Sequence, residues 1–349
     1  MKKENKKVAI IGTVGVPACY GGFETLVENL ITDSPIDMVV YCSSKTYKKK
    51  IRNYKGAALH YIPLSANGAQ SVLYDLLSIF HAVFKGYRTL LVLGVSGALC
   101  LPIVKLLFPK VKIITNIDGL EWRRDKWGGI ARKFLKFSEK IAVKYSTSVV
   151  SDNQAIADYV HKEYSLDSTV IAYGGDHCVI KPLPNKKNNY FFALCRIEPE
   201  NNVHLILKAF ENSSEKIVFV GNWDNSSYGR ALKLKYSESE NILLLDPIYD
   251  LNKLFELRSE CKAYIHGHSA GGTNPSLVEM MFFNKLIIAF DCNYNKATME
   301  DKGMYFACSE SLNGILKSNI ENFDGYDLKE IAERRYMWSV VKSQYYNLF

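Results

Sequence analysis

The sequence lacks the patterns of a metal, redox or secreted protein. Its eight cysteines are scattered, with no C-x-x-C pair and no spacing typical of a metal site. The basic first residues are not followed by an apolar signal core before the first predicted strand. Together these absences indicate a protein of the reducing cytosol, in which buried thiols behave as small hydrophobic groups.

Several motifs of nucleotide and hydrolytic chemistry are also absent. The chain contains no Walker motif, no G-x-S-x-G and no D-x-D. Without D-x-D, a metal-dependent nucleotide-sugar site lacks its anchor, so we expect neither a metal nor another cofactor. No apolar run reaches the ~20 residues of a membrane span. The uncharged stretch 90–104 contains Gly94, Gly97 and Pro102 and is interpreted as a buried strand, a tight loop and the next helix.

The composition is that of a globular protein, with 48% hydrophobic and 23% charged residues in 349. This length suits two domains. The net charge of +8 is partly local, because basic residues cluster at 45–55. Such a cluster is usually a solvated face, and the alternatives are an anionic membrane or nucleic acid. No nucleic-acid motif accompanies it, so we favour the inner face of the cytoplasmic membrane, where the apolar face of segment 72–84 could also rest.

Short β-rich runs alternate with helical patterns in both halves of the chain, which predicts two doubly wound parallel α/β sheets. The polar, proline-bearing segment 181–189 is typical of a linker and places a domain boundary near residue 180. Two such domains would leave a ligand cleft at the carboxyl ends of their strands. The predicted strands are 8–11, 38–42, 59–63, 90–93, 111–116, 148–151, 169–172, 190–195, 217–220, 242–245, 263–265, 286–290 and 304–307.

The first strand is followed by glycines that do not fit the dinucleotide pattern G-x-G-x-x-G, and the second strand ends without an acid for an adenosine ribose. Gly21 and Gly22 are instead expected to let the backbone approach a ligand, with Glu24 beside it. Glu24 has an alternative interpretation as a first-turn acid that the helix dipole favours.

Segment 116–127 gathers acids, bases and two tryptophans after the fifth strand. A tryptophan beside acids is a common way to hold a sugar. Asp118 and Glu121 are therefore candidates for proton transfer or hydroxyl orientation. The alternative is a salt-bridged surface loop with its tryptophans in the core. The candidates for phosphate contact are Arg123, Arg124 and Lys126.

Segment 267–281, GHSAGGTNPSLVEMM, places a glycine-rich turn between an apolar run and a helix that carries Glu279. Unpaired N–H groups at a helix start suit a pyrophosphate, and Glu279 suits a sugar hydroxyl. An ordinary strand-to-helix turn is the alternative. His266 and His268 alternate at the strand end, so one could face the ligand while the other packs. Arg196 ends the first strand of this half and could neutralise a diphosphate.

These segments resemble the two-domain, GT-B fold enzymes of glycosyltransferase family 4. More narrowly, they resemble bacterial rhamnosyltransferases that add L-rhamnose to a lipid-linked glucose or N-acetylglucosamine during capsule or cell-wall polysaccharide synthesis. The segments that carry the resemblance are VGVPACYGGFETLVENL (14–30), NIDGLEWRRDKW (116–127), CRIEPENN (195–202) and GHSAGGTNPSLVEMM (267–281). The closing residues resemble the helix that crosses back onto the first domain in this fold.

The resemblance implies an acceptor-binding domain at 1–180, a nucleotide-sugar domain at 181–330 and a terminal helix at 331–349 that packs on the first domain. It implies that Arg196 meets the donor diphosphate, that Glu279 binds the nucleotide ribose and that Asp118 lies near the reacting carbon. Gly21 and Gly22 would approach the phosphate and the acceptor. The residues expected to line the donor site are His268, Gly272, Thr273, Asn274, Pro275, Ser276 and Leu277.

The chain departs from the broad family pattern at two positions. Gly271 stands where the first of two glutamates would be, and Asn201 replaces a lysine five residues after Arg196. A 6-deoxy sugar would fit this reduced polar set, which favours dTDP-L-rhamnose as donor and a retaining transfer to a sugar on a polyprenyl diphosphate. The alternatives are a UDP-hexose donor, or a sugar-nucleotide-binding protein without turnover.

Overall fold

The computed structural model describes residues 7–19, 21–123, 127–184, 188–318, 320, 323 and 325–349. The chain divides into two compact units: unit 1 is Met1–Ala172 with Ser339–Phe349, and unit 2 is Tyr173–Trp338. The division therefore falls at residues 172 and 173, a few residues before the boundary that the linker composition suggested. Residues 173–180 already belong to unit 2 before the polar stretch begins at residue 181.

Unit 1 is built on eight strands in the order β3-β4-β2-β1-β5-β6-β7-β8. All adjacent pairs are parallel except β3 with β4. The central strand β1 is apolar and buried from Val8 to Ile11, as expected for a sheet covered on both faces. Strands β1 to β8 are Lys7–Ile11, Asp37–Ser43, Asn53–Tyr54, Ala57–Ile62, Thr89–Leu93, Lys112–Asn116, Ser148–Ser151 and Thr169–Val170.

The helices of unit 1 cover both faces of its sheet. Parallel crossovers are right-handed, so the connections that advance toward β8 place α2, α3, α4 and α5 on one face. The α1 connection runs the other way, from β1 to β2, and lies on the opposite face. The helices α1 to α5 are Gly22–Ile31, Ser71–Phe84, Leu101–Leu107, Gly129–Tyr145 and Gln154–Tyr164.

The last helix, Trp338–Leu348 (α13), begins at the end of unit 2 and continues into unit 1. The buried Tyr345 hydroxyl accepts a 2.8 Å hydrogen bond from Asn116 Nδ2 at the end of β6. The Tyr346 hydroxyl donates to Leu30 O in α1. The closing segment is thus held by side-chain hydrogen bonds to both the sheet and a helix of unit 1.

Unit 2 contains a six-stranded parallel sheet in the order β11-β10-β9-β12-β13-β14. Its core includes Phe191, Phe210, Phe219 and Trp223. Strands β9 to β14 are Phe191–Leu194, Ile217–Val220, Ile242–Leu245, Ala263–His266, Leu286–Phe290 and Met304–Phe306. Helices α6 to α12 are Val203–Glu211, Ser227–Tyr236, Leu251–Glu260, Pro275–Met281, Asn293–Met299, Ser309–Lys317 and Tyr326–Arg335.

The two α/β units confirm the predicted fold class, and every predicted strand is present to within a few residues. The prediction missed β3, Asn53–Tyr54, because this two-residue edge strand lies in the basic segment and has no apolar run. The terminal segment predicted as one helix is two, α12 and α13. In the part of the chain that the structure describes, no helix combines the length and hydropathy that crossing a bilayer requires.

Candidate functional site in unit 2

The strand order of unit 2 reverses direction between β9 and β12. From β9 the chain proceeds outward to β10 and β11, then returns to β12 and proceeds the other way. Ligands of open α/β sheets bind at such a switch point, beyond the carboxyl ends of the strands. Arg196 follows β9, and the glycine-rich turn at 267–274 follows β12. The topology therefore brings together the two segments that the sequence singled out in this half.

Asn201 connects these two loops. This buried residue, only 3% exposed, donates from Nδ2 to Arg196 O at 2.7 Å, and its Oδ1 lies 2.8 Å from His268 Nδ1. A Cβ atom on Gly267 would lie 2.1 Å from Asn201 O, so the close approach of the loops requires glycine there. Asn201, at the position of the family lysine, thus fixes the loops rather than presenting a charge.

Glu279 of α9 forms a buried ion pair with Arg258 of α8. His177 Nε2 lies 3.4 Å from the other carboxylate oxygen. Burial by itself would raise the pKa of Glu279, but the charge of Arg258 and the hydrogen bond from His177 outweigh it and hold the pKa below its ordinary value. The carboxylate is therefore charged and oriented, and two oxygens still have lone pairs for a ligand hydroxyl.

The start of α9 is capped from within. Asn274 Oδ1 accepts from Ser276 N at 3.0 Å, and Asn274 O accepts from Leu277 N at 3.1 Å. Pro275 has no N–H, and the Leu277 side chain is fully buried. The side chains of Asn274 and Ser276 are partly exposed, whereas Leu277 contributes only to the core.

The Arg196 side chain is partly exposed and has a loose ion-pair contact. Its side chain is 38% exposed, and its guanidinium lies 3.6 Å from Glu198, a distance typical of a loose surface pair. Only the backbone of Arg196 is tied down, through Asn201. A bound diphosphate could therefore capture the guanidinium at small cost.

Candidate functional site in unit 1

Unit 1 has its own switch point, between β1 and β5, and the loop after β1 leads to α1 there. Glu24 of α1 is buried, and one of its oxygens accepts from Thr13 Oγ1 and Val14 N, both at 2.9 Å. Gly21 has a φ of +137°, and a Cβ there would lie 2.0 Å from the other Glu24 oxygen. Glu24 therefore shapes the loop around Gly21 and Gly22.

The loop after β6 holds Asp118 in the left-handed region, at a φ of +59°. Its N–H donates to Asn116 Oδ1 at 3.0 Å, and the residue is partly exposed. A non-glycine residue with this φ often marks a functional site, because the surrounding fold must offset the strain. The Asn116 side chain therefore accepts from this loop through Oδ1 and donates to the Tyr345 hydroxyl through Nδ2.

The remaining members of the cluster at 116–127 have partners within unit 1. Glu121 accepts from Trp127 Nε1 at 3.0 Å. The Arg123 guanidinium lies 5.0 Å from the Trp122 ring and 5.2 Å from the Tyr159 ring, as a cation–π contact. Arg124 and Lys126 lie outside the described residues.

Comparisons with known proteins follow this division of the chain. Residues 179–317 match the family described as glycosyl transferases group 1. Residues 5–176 match a family described as a domain of unknown function, DUF1972. Unit 2 thus carries the sequence pattern of a glycosyl transferases group 1 domain. Among curated proteins, none matches the sequence of this chain.

Solved glycosyltransferase structures share the fold of the whole chain. Sucrose-phosphate synthase from Thermosynechococcus elongatus superposes with a TM-score of 0.78 at 13% identity. Anabaena HepE in complex with UDP-glucose gives 0.71 at 14% identity, and the lipopolysaccharide outer core galactosyltransferase WaaB gives 0.65 at 14%. Each comparison covers 98% of both chains. The chain therefore has the GT-B fold of these structures.

Sequence reasoning missed two residues that orient Glu279: Arg258 and His177. Arg258 did carry a signal, because it shares a helical face with Leu254 and Phe255, where a charge needs a buried partner. His266 and His268 are both buried, and their expected division of roles stays a prediction. β12 ends at His266, so strand alternation does not extend to His268.

Proposed function

We propose that this glycosyltransferase moves L-rhamnose from dTDP-L-rhamnose to a glucose or N-acetylglucosamine on a polyprenyl diphosphate, with retention of configuration. Unit 2 would bind the donor and unit 1 the acceptor. The site residues carry the chemistry without a metal or another cofactor. Bacterial surface polysaccharide synthesis is the process that uses such a product.

The observation that supports a deoxysugar donor is the backbone at Gly271. This residue is buried and has a φ of +109°, which L-residues rarely adopt. A glutamate at this position would be strained, so the turn itself differs from one built to present a carboxylate. A donor sugar with fewer hydroxyl groups requires fewer hydrogen bonds to carboxylates.

Arg196 would supply the main electrostatic stabilisation. Negative charge grows on the diphosphate as the sugar–oxygen bond breaks, and a guanidinium can take two phosphate oxygens at once. The loose contact with Glu198 leaves Arg196 able to turn toward that charge. Gly272 and Thr273, ahead of α9, would complete the phosphate contacts with Asn274 and Ser276, and Pro275 would line the site.

Glu279 would accept hydrogen bonds from the nucleotide ribose. Arg258 and His177 keep its carboxylate charged and in one orientation, which lowers the entropy lost on binding. Asp118 and Glu121 would orient acceptor hydroxyls, and Arg123 would contact acceptor phosphate. Segments 45–55 and 72–84 would bring the enzyme to the cytoplasmic face of the membrane, where the lipid-linked acceptor lies.

A donor comparison tests this function. Purified protein is incubated with a polyprenyl-diphosphate-linked hexose and either dTDP-L-rhamnose, UDP-glucose or UDP-galactose, and the product is read by mass. We expect a deoxyhexose increment from dTDP-L-rhamnose alone. Arg196→Ala should lower turnover by roughly 10²–10³-fold, while the exposed control Arg230→Ala does not. Transfer from a UDP-hexose, or donor binding without transfer, would refute the proposal.

A further inference from the structure

Three helices on one face of unit 1 expose an unusual amount of apolar surface. α2, α3 and α4 lie on the same face of the sheet because their crossovers all advance toward β8. The Phe84 ring of α2 lies 5.7 Å from the Phe108 ring at the end of α3, so the apolar surface continues between them. The exposed large apolar side chains of these helices are Leu73, Leu77, Phe84, Ile103, Leu106, Leu107, Ile130 and Phe137.

The exposure is greatest at Leu106, 80% exposed, and Ile130, 89% exposed. Single exposed apolar residues are ordinary on a protein surface, but a group concentrated on one layer marks an interaction site. We call the exposed side chains of α3 and α4 the α3–α4 surface.

The charge of the α3–α4 surface has one sign. The exposed stripe of α4 consists of Ile130, Lys133, Phe137, Lys140 and Lys144, spaced to share one helical face. α2 and α4 each contain one acid, Asp75 and Glu139, and α3 contains none. Both acids are buried, at 2% exposure. These helices therefore present cations and apolar groups together, and their acids stay inside.

A groove beside this stripe adds a place for an anionic group. It encloses about 530 Å³, and its lining contains four basic residues and one acid together with aromatic rings: Arg132, Lys133, Lys136, Lys140, Glu163, Trp122, Phe137 and Tyr164. Lys136 is paired with Glu163 at 2.9 Å. The other basic residues lining the groove are on the same helix as the exposed Ile130.

We infer that the α3–α4 surface docks on an anionic phospholipid bilayer, with Leu106 and Ile130 entering the interface and the α4 lysines binding lipid phosphates. An amphipathic surface of apolar side chains bordered by lysine is what such a bilayer attracts. The inference deepens the proposed function by naming the surface that meets the membrane.

Segment 45–55 is less suited to the same task. Its Lys55 is paired with Glu28 at 2.7 Å, Lys45 donates to Gln70 at 3.0 Å, and Lys50 lies over the Tyr61 ring. Large apolar side chains are sparse there, whereas the α3–α4 surface combines both kinds of group. We therefore expect segment 45–55 to contribute less to membrane binding.

Vesicle co-sedimentation of the full-length protein tests the inference. The probes are vesicles of phosphatidylcholine mixed with phosphatidylglycerol, and vesicles of phosphatidylcholine alone. Wild-type protein should partition onto the anionic vesicles and be released by high salt, which screens the lysine contribution. Equal partitioning onto both kinds of vesicle, or onto neither, would overturn the inference.

Two double variants locate the surface. Leu106→Ser with Ile130→Ser, and Lys133→Glu with Lys140→Glu, should each weaken partitioning on the order of tenfold or more. Matched controls in unit 2 are Leu234→Ser, also 80% exposed, and Lys253→Glu with Lys317→Glu. The controls should bind as wild type, and unchanged melting temperatures show that all variants fold.

The outcomes separate this inference from the proposed transfer activity. Loss of vesicle binding with unchanged turnover on a detergent-solubilised acceptor supports the docking surface. Vesicle binding without any transfer from dTDP-L-rhamnose refutes the proposed function and leaves the surface supported. Light scattering that shows a dimer, converted to a monomer by Leu106→Ser with Ile130→Ser, would assign the surface to a second copy and overturn the inference.

Discussion

Two glutamates, one in each unit, occupy equivalent places in their sheets but have different partners; Glu24 is buried and Glu279 is partly buried. Glu279 of α9 and Glu24 of α1 both lie on a helix that follows a strand at a switch point of a parallel sheet. Glu279 is held by the Arg258 guanidinium and by His177. Glu24 accepts from a hydroxyl and a peptide N–H, those of Thr13 and Val14.

The difference separates a carboxylate with a cationic partner from one whose partners are a hydroxyl and a peptide N–H. A cation beside Glu279 fixes its charge, leaving lone pairs for another donor. Glu24 instead turns its oxygens to the backbone of its own loop and to Gly21. A buried acid with a cationic partner is therefore the stronger candidate for a binding role in this molecule.

The largest expected effect is the loss of the cation in unit 2. Arg258→Met should lower the free energy of unfolding by about 3–5 kcal/mol, because it leaves the Glu279 carboxylate buried without its charge partner. Urea denaturation measures the change. Combining Arg258→Met with Glu279→Gln should restore much of the lost stability. An Arg258→Met variant as stable as wild type would show that the ion pair does not stabilise the fold.

A smaller effect is expected in unit 1. Thr13→Val keeps the side-chain shape but removes the hydroxyl that donates to Glu24, so about 1.5 kcal/mol of stability should be lost. The Val14 N–H remains to satisfy the carboxylate. Urea denaturation measures the change in the free energy of unfolding. A loss of stability as large as that of Arg258→Met would contradict the distinction between the two glutamates.

The pH dependence of Glu279 should be smaller still. Its folded-state pKa is depressed below the ordinary pKa of a glutamate, so its contribution to stability is complete above that ordinary pKa. The contribution is lost as the pH falls through the folded-state pKa. The stability advantage of wild type over Glu279→Gln should therefore shrink on acidification, in paired thermal melts. An advantage independent of pH would contradict the depressed pKa.

Much of the fold follows from apolar runs that parallel sheets bury on both faces. The run 286–290 became β13 with the same bounds, because each residue type in it suits a buried strand. Strand β3 could not be found in this way, since the antiparallel pairing of Asn53 with Ala58 holds it rather than any apolar pattern.

The sequence predicts those site residues whose location follows from their place directly after a strand. Arg196 and Glu279 follow strands whose carboxyl ends meet at one edge of a sheet, and both are found there. The sequence does not predict that Arg258 is the partner of Glu279, because this contact depends on how α8 packs on α9. Asn201 was noted as a missing lysine, but its bond to His268 appears only in three dimensions.

The hydrogen bond between Asn116 and Tyr345 has a consequence for synthesis on the ribosome. Unit 2 is a continuous segment of the chain, whereas unit 1 draws on both ends of it. Tyr345 therefore leaves the ribosome only after every residue of unit 2. Unit 2 is topologically an insertion within unit 1. Unit 1 is therefore translated first but is completed last.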